Sequence, residues 1–425
     1  MSLLIKNGRV IDPATGIDET LDVLVERGKI VALKPQIVVE DAKMIDASRL
    51  VVAPGFIDMH THLREPGQED KETIRTGSLA AARGGFTSIA CMPNTVPVHD
   101  NRGVTEYIIS EARKKAAVNV FPIAAVSRSQ KGEELTDLAD LVEAGAIAFS
   151  DDGFPVKTSE IMRRALEYSR LLDTVIIDHC EDRSLTQDGV MHEGYYSYLF
   201  GLNGMPASAE EIIVARDLIL AEKAEARVHI AHLSVKGAVD FIREAKRRGI
   251  KVTVEVTPHH LLLTDSRLEN YDTNLKVNPP LRSNEDVESL IQAIQEGIID
   301  VFATDHAPHT IDEKSVEFDH APFGINGLET AVPLLLDKLV NKNIIPIQRL
   351  IEMMSTTPAR ILGLGNKGKI EIGADADLTI LNLHKEVVID VNKFKSKSRN
   401  NPFHGWKLRG TPVLTIVGGK IVYSA

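Results

Sequence analysis

The chain has 425 residues, 43% hydrophobic and 26% charged, with 49 Lys and Arg against 60 Asp and Glu for a net charge of −11. This is the balance of a soluble globular protein too long for one ordinary small domain, and its acidity argues against a general nucleic-acid binder. No apolar run approaches the ~18 residues of a membrane span. The only two cysteines, Cys91 and Cys180, imply no disulfide framework and suit a reducing cytoplasm.

In chain order, "MSLLIKNGRV" carries no signal-peptide pattern, because its apolar run is short and is followed by Lys6 and Arg9. "LLIKNGRVID" and "DVLVERGKIVAL" are β-branched runs broken by turn residues next to Gly, and they read as hairpins. "PVLTIVGGKIVYSA", near the other end, repeats the pattern, and "KIEIGADADLTILNL" adds a further strand pair. Residues 1–52 and 368–425 are therefore expected to form one small β-sandwich domain from both termini, with residues 53–367 inserted into it.

That insertion alternates strands and helices. Eight apolar runs each lead into polar residues: "VVAPGFID", "TSIACMPN", "NVFPIAAVS", "AIAFSDDG", "TVIIDHCED", "RVHIAHLS", "KVTVEVTP" and "DVFATDHAPH". Amphipathic stretches such as "SEIMRRALEYSRLL" and "AVDFIREAKRRGI" lie between them. Continuous apolar strands alternating with helices predict a parallel sheet of the α/β class, and eight units over ~310 residues predict a (β/α)8 TIM-like barrel. After the eighth strand, residues 309–326 have no clear periodicity and read as a lid or a surface loop.

A barrel places its chemistry at the C-terminal ends of its strands. Strand one ends in His60 and His62, which period-2 geometry points to one side. Alone, such a pair is as well explained by two hydrogen-bonded surface histidines. Strand four, however, ends in Asp151 and Asp152, strand five in His179, strand six in His232 and strand eight in Asp305. Imidazoles and carboxylates are ligands of Zn²⁺ and similar ions, and this set exceeds the roughly four of one tetrahedral zinc. It suits two metals with a bridging carboxylate, which would acidify a water and polarise a carbonyl. Asp305 is placed to bind metal and also to shuttle the proton. Arg64 can clamp a carboxylate or form a surface ion pair. Asn94 offers a donor and an acceptor, or simply follows Pro93 in a turn. Asn278 can equally cap the turn before Pro279–Pro280. His259 and His260 are expected to shape the loop after strand seven, and alternation sends His306 to the face opposite Asp305.

The stretches "DMHTHLREPG", "CMPNT", "DHCED", "HIAHLS", "NPPLR", "ATDHAPH", "FGINGLET" and "KSRNNPFHG" resemble the longer, multifunctional-enzyme-like bacterial dihydroorotases of the amidohydrolase superfamily, over essentially the whole chain. The resemblance implies a cytoplasmic hydrolase of pyrimidine (UMP) biosynthesis that interconverts N-carbamoyl-L-aspartate and L-dihydroorotate. It implies His60, His62 and Asp305 on one zinc, His179 and His232 on a second, and one or two zinc ions per chain, two being expected. Hydantoinases, allantoinases and many dihydroorotases carry a carboxylated lysine on strand four. Here that strand has no lysine, Lys157 lies beyond it, and the resemblance favours Asp152 as bridge with Asp151 as fallback. It further implies that His62, Arg64, Asn94 and His309 meet the substrate, the last three at its carboxylate. Asn278 and the backbone at Phe323–Gly324 would contact the ring. Asn326 stands where relatives carry an apolar residue. The rival readings are another cyclic amidase, or a non-catalytic scaffold for aspartate carbamoyltransferase. The resemblance also carries the expectations of a homodimer and of association with that transferase.

Overall fold

β-branched and leucine-rich runs dominate both ends of the chain, and in the computed structural model, which describes residues 2–425, the two ends meet. β1 (Ser2–Asp12) pairs antiparallel with β2 (Ile17–Glu26), which turns at Arg27–Gly28 into β3 (Lys29–Lys34). The hairpin expected in "LLIKNGRVID" is instead one strand. Asn7 takes a left-handed φ of 60° and its N–H donates to Asp22 Oδ1 at 2.9 Å, so the Asn-Gly pair makes a bulge, and the register slips between Ile5 and Gly8. The first half of β1 then pairs with β4 (Ala42–Asp46) and its second half with β5 (Val51–Pro54).

The run expected as the first barrel strand divides at Gly55. β5 stays in the terminal sheet and β6 (Phe56–Thr61) opens the barrel. A Cβ at Gly55 would collide with the Thr87 side chain, so glycine is what lets the chain cross between the two units here. β7 (Phe86–Cys91), β8 (Asn119–Ala124), β9 (Ala148–Phe149) and β10 (Ile176–Asp178) follow. A two-stranded ribbon, β11 (Met191–His192) with β12 (Gly204–Met205), stands outside the barrel. β13 (Val228–Ile230), β14 (Val252–Val256) and β15 (Val301–Phe302) complete the parallel order, and a bridge between Thr61 and His306 nearly closes the ring. Every residue of β6 and β7 is buried, the polar Asp58, Thr61, Thr87 and Ser88 among them. Helices Ser159–Leu171 and Lys236–Arg247 turn Met162, Ala165 and Leu166, and Val239 and Ile242, onto that barrel.

The chain then returns to the terminal sheet through β16 (Leu378–Val388), β17 (Lys407–Val417) and β18 (Lys420–Ser424), with β16 antiparallel to β5. The first half of "KIEIGADADLTILNL" forms no strand: Ile370 N–H donates to Asp12 Oδ2 at 2.8 Å rather than to a ladder. Val10, Val23, Ile30 and Val52 share one apolar cluster with Leu378, Ile380 and Ile416, so residues from both ends build a single core.

Candidate metal centre and substrate cavity

Five barrel strands deliver side chains to one point beyond their C-terminal ends. His60 and His62 come from the end of β6, Asp152 from beyond β9, His179 from beyond β10, His232 from beyond β13 and Asp305 from beyond β15. The Asp152 carboxylate lies between two groups. Its Oδ2 is 3.3 Å from His60 Nε2 and 3.4 Å from His62 Nε2, and its Oδ1 is 3.6 Å from His179 Nδ1 and 3.5 Å from His232 Nε2. Asp305 Oδ1 sits 3.0 Å from His62 Nε2 and 3.4 Å from His60 Nε2. Asp151 faces elsewhere, accepting from the Ser127 N–H at 3.0 Å and the Ser127 hydroxyl at 2.5 Å, and burial lifts its carboxyl to about 6. Lys157 is exposed, away from the cluster.

Three of the four imidazoles are fixed by a partner on the nitrogen that faces away. His60 Nδ1–H donates to Glu255 Oε1 at 2.6 Å, His62 Nδ1–H to Asn94 Oδ1 at 2.8 Å, and His179 Nε2–H to Glu181 Oε2 at 3.0 Å. Each bond selects the tautomer whose lone pair looks into the centre. Glu255 and Glu181 are functional residues that the sequence reading passed over. Each lies among residues already singled out, Glu181 two positions after His179 and Glu255 two before Thr257–Pro258, but only the fold shows which histidine it holds.

His60 Nε2 and Asp152 Oδ1 are buried without a hydrogen-bond partner among the described residues. Burial opposes a charge on His60, yet Asp152, Glu255 and Asp305 outweigh it and hold its proton affinity well above the ordinary range. Burial also opposes ionisation of Asp305, and His60 and His62 overcome it, holding its carboxyl at about 2. A field that binds a proton this tightly, lined with inward lone pairs, fits a divalent cation. Three of the residues, Arg64 (φ 62°), His232 (φ 30°) and Asp305 (φ 45°), hold left-handed backbone, a conformation that costs non-glycine residues energy and concentrates at working sites.

The cluster opens into a cavity of about 300 Å³ lined by His62, Arg64, Asn94, Asn278, His309, Phe323 and Gly324 together with Asp152, His179, His232 and Asp305. Arg64 is 7% exposed, donates from Nε to Pro308 O at 3.2 Å and places Nη2 3.3 Å from His309 Nε2. Burial lowers its guanidinium to about 10, so it stays charged at neutral pH, and no carboxylate among the described residues forms an ion pair with it. Asn278 Nδ2 donates to Glu181 Oε2 at 3.0 Å, which leaves its Oδ1 as an acceptor. Residues 309–326 form one wall. His309 Nε2–H donates to Phe323 O at 2.9 Å, and Gly324 N–H donates to Lys276 O at 2.9 Å. Gly324 has φ 142°, and a Cβ there would press on Ala307, so this close wall requires glycine.

The remaining histidines stay outside. His260 bridges Thr257 Oγ1 at 2.8 Å and Pro279 O at 2.9 Å, His259 is buried beside it in helix Pro258–Leu262, and His306 turns to Glu72 at 3.3 Å. Asn326 has a physical reason for its place. Its Nδ2 donates to Ser398 O at 2.9 Å, and its N–H donates to Asn400 O at 2.9 Å. Asn400 in turn donates to Ala307 O at 3.0 Å and Gly324 O at 2.9 Å. The stretch 398–401, read in sequence only as a resemblance, is thus a latch on the cavity wall.

A Dihydro-orotase-like family model matches residues 48–238, and an Amidohydrolase family model matches residues 221–423. A dihydroorotase of Pelotomaculum thermopropionicum is 54% identical over 423 residues, covering 99% of this chain and 98% of its own. One from Syntrophus aciditrophicus is 52% identical over 425 residues, covering 100% and 99%. Among solved structures, an L-hydantoinase (dihydropyrimidinase) from Arthrobacter aurescens superposes with a TM-score of 0.91 at 28% identity, over 99% of this chain and 96% of the other.

Proposed function

Since the chain belongs to the dihydroorotase family of the amidohydrolase superfamily, hydrolases acting on cyclic amides, we propose a division of labour among its residues in the interconversion of L-dihydroorotate and N-carbamoyl-L-aspartate. One observation carries it: a buried Arg64 without an anionic partner shares a cavity with the histidine–aspartate cluster. A buried guanidinium left unpaired is costly, and a substrate carboxylate completes it.

His60, His62 and Asp305 would hold one zinc ion, His179 and His232 a second, and Asp152 both; the split of Asp152's oxygens between the two groups supports two ions per chain. Bound zinc supplies Lewis acidity, acidifying the attacking water and polarising the ring carbonyl. Arg64 and Asn94 bind the substrate carboxylate, and His309 joins them by turning its Nε2–H from Phe323 O to the carboxylate. His62 reaches the substrate while fixed through Asn94, whose Oδ1 is spent on His62 and whose Nδ2 remains to donate. Asn278 Oδ1, left as an acceptor by Glu181, takes a ring N–H. At Phe323–Gly324 the contact narrows to the Phe323 N–H, because Phe323 O, Gly324 N–H and Gly324 O are engaged within the protein.

In hydrolysis the water adds to the amide carbonyl, Asp305 takes its proton, and Asp305 returns that proton to the departing ring nitrogen. In ring closure the carbamoyl nitrogen attacks the carbon of the protonated side-chain carboxyl group, and Asp305 passes the nitrogen's proton to the departing hydroxyl, which leaves as water. The site sits in a barrel unit that begins at Gly55 rather than at residue 53 and runs to residue 367, supported by a β unit of residues 1–54 and 368–425. The free, buried thiols Cys91 and Cys180 support work in a reducing cytoplasm. The test is turnover of L-dihydroorotate by the purified chain, with zinc counted on the same sample and with Asp305→Ala beside it. Chelator-sensitive turnover, two zinc ions per chain, and loss of nearly all activity in both directions in the variant are expected. Asp305→Ala with full zinc and substantial activity would overturn the proton role.

A further inference from the structure

Two buried lysines face the wall of the cavity from behind, and the reaction as described uses neither. Lys276 is 2% exposed. Its Nζ donates to Phe318 O at 2.7 Å and Asp319 O at 3.0 Å, and it lies 4.8 Å from the centroid of the Phe323 ring. Lys314 is 8% exposed, and its Nζ donates to Pro322 O at 2.7 Å and Thr273 O at 2.9 Å. Four carbonyls are thus held by two ammonium groups. Three of them belong to residues 318–322, and the backbone adds Gly324 N–H to Lys276 O.

The connection runs between two segments that meet the substrate. Lys276 is two residues before Asn278, and Pro322 is one residue before Phe323. The short wall 318–324 has no regular structure to hold it. Ammonium groups buried this deeply cost stability, and an apolar side chain would fill the same space more cheaply. Their bonds to three carbonyls of residues 318–322 point to placement of the wall.

We propose that Lys276 and Lys314 are positioning residues that clamp the wall 318–324 against the segment bearing Asn278, and so set the distance between the Phe323 N–H and the Asn278 amide across the substrate ring. The inference rests on the reading of this cavity as the dihydroorotate site. Without the clamp the wall samples open positions, and substrate binding weakens more than turnover does.

The experiment compares the zinc-loaded full chain with Lys276→Met and Lys314→Met. It measures KM and kcat for L-dihydroorotate, and the rate of chymotrypsin cleavage at Phe318 and Phe323 without substrate. The expected result is a KM raised about tenfold, kcat within about threefold, and cleavage several-fold faster in both variants. A fold defect alone lowers the active fraction, hence apparent kcat, and leaves KM in place. Unchanged KM with unchanged cleavage overturns the clamp, and so does a loss confined to kcat. If Lys276→Met does not fold, Lys276→Gln and Lys314→Met carry the same comparison. If the unmodified chain fails to turn over dihydroorotate, the functional reading fails, and cleavage alone then decides whether the clamp exists.

Discussion

Ser127 decides which of two adjacent aspartates faces the centre, because its N–H and hydroxyl hold Asp151 and leave Asp152 to the histidines. Alternation cannot make this choice, since β9 stops at Phe149 before either aspartate. The pattern of types was legible in the sequence; the bridging residue there rested on resemblance alone, because its selector sits at the end of another strand. Asp152→Asn should therefore lower bound zinc by about one ion per chain and activity by at least ~100-fold, whereas Asp151→Asn should leave the zinc count unchanged, as elemental analysis of the purified variants will read. The clamp lysines allow a second prediction at this scale. Burial lowers Lys276 to about 8 against the pull of Asp319. It lowers Lys314 to about 7, aided by Lys276 and opposed by Asp272 and Glu313. Both values lie below the ordinary 10.5, so between them and 10.5 the unfolded chain binds more protons, and stability rises with pH. The unfolding temperature of the native chain, less that of Lys276→Met/Lys314→Met, should climb from pH 7 to pH 10. A flat difference would contradict the two buried ammonium groups.

At the scale of elements, the repeated strand–helix pattern disclosed the barrel, and the end of β6 turns His60 and His62 to the same Asp152 oxygen, as period-2 geometry requires. Turn chemistry misled twice, and for one reason. Asn7–Gly8 has the composition of a hairpin, but tertiary pairing to β2, β4 and β5 keeps the strand going as a bulge. "VVAPGFID" has the composition of one strand, yet Gly55 lets it serve two sheets. The latch 398–401 has no periodic signature because its amides bond to backbone carbonyls of distant loops. Asn326→Leu, which places an apolar side chain there, leaves the Ser398 carbonyl to the Arg399 guanidinium alone and should cost about 0.5–1.5 kcal/mol in urea unfolding. A neutral result would mean that the latch holds through Asn400 alone.

The molecule as a whole ties its catalytic mouth to its chain ends. The terminal sheet shares one core across both termini, and the segment between β16 and β17 reaches the cavity wall through Asn400 and Ser398. This was half legible: the similar hairpins at the two ends announced a joint unit, but their reach into the site did not show. β5 finds its neighbour in β16 only after the whole barrel sequence has been made, Val52 pairing with Ile380. On a ribosome adding roughly 5–20 residues per second, β5 therefore waits on the order of half a minute for β16, with its edge open to other nascent chains. The mouth acquires its latch later still. During that interval the nascent chain already carries every side chain of the histidine–aspartate centre, but neither its sheet partner nor its latch. The yield of active protein should depend on how well that edge is shielded during translation.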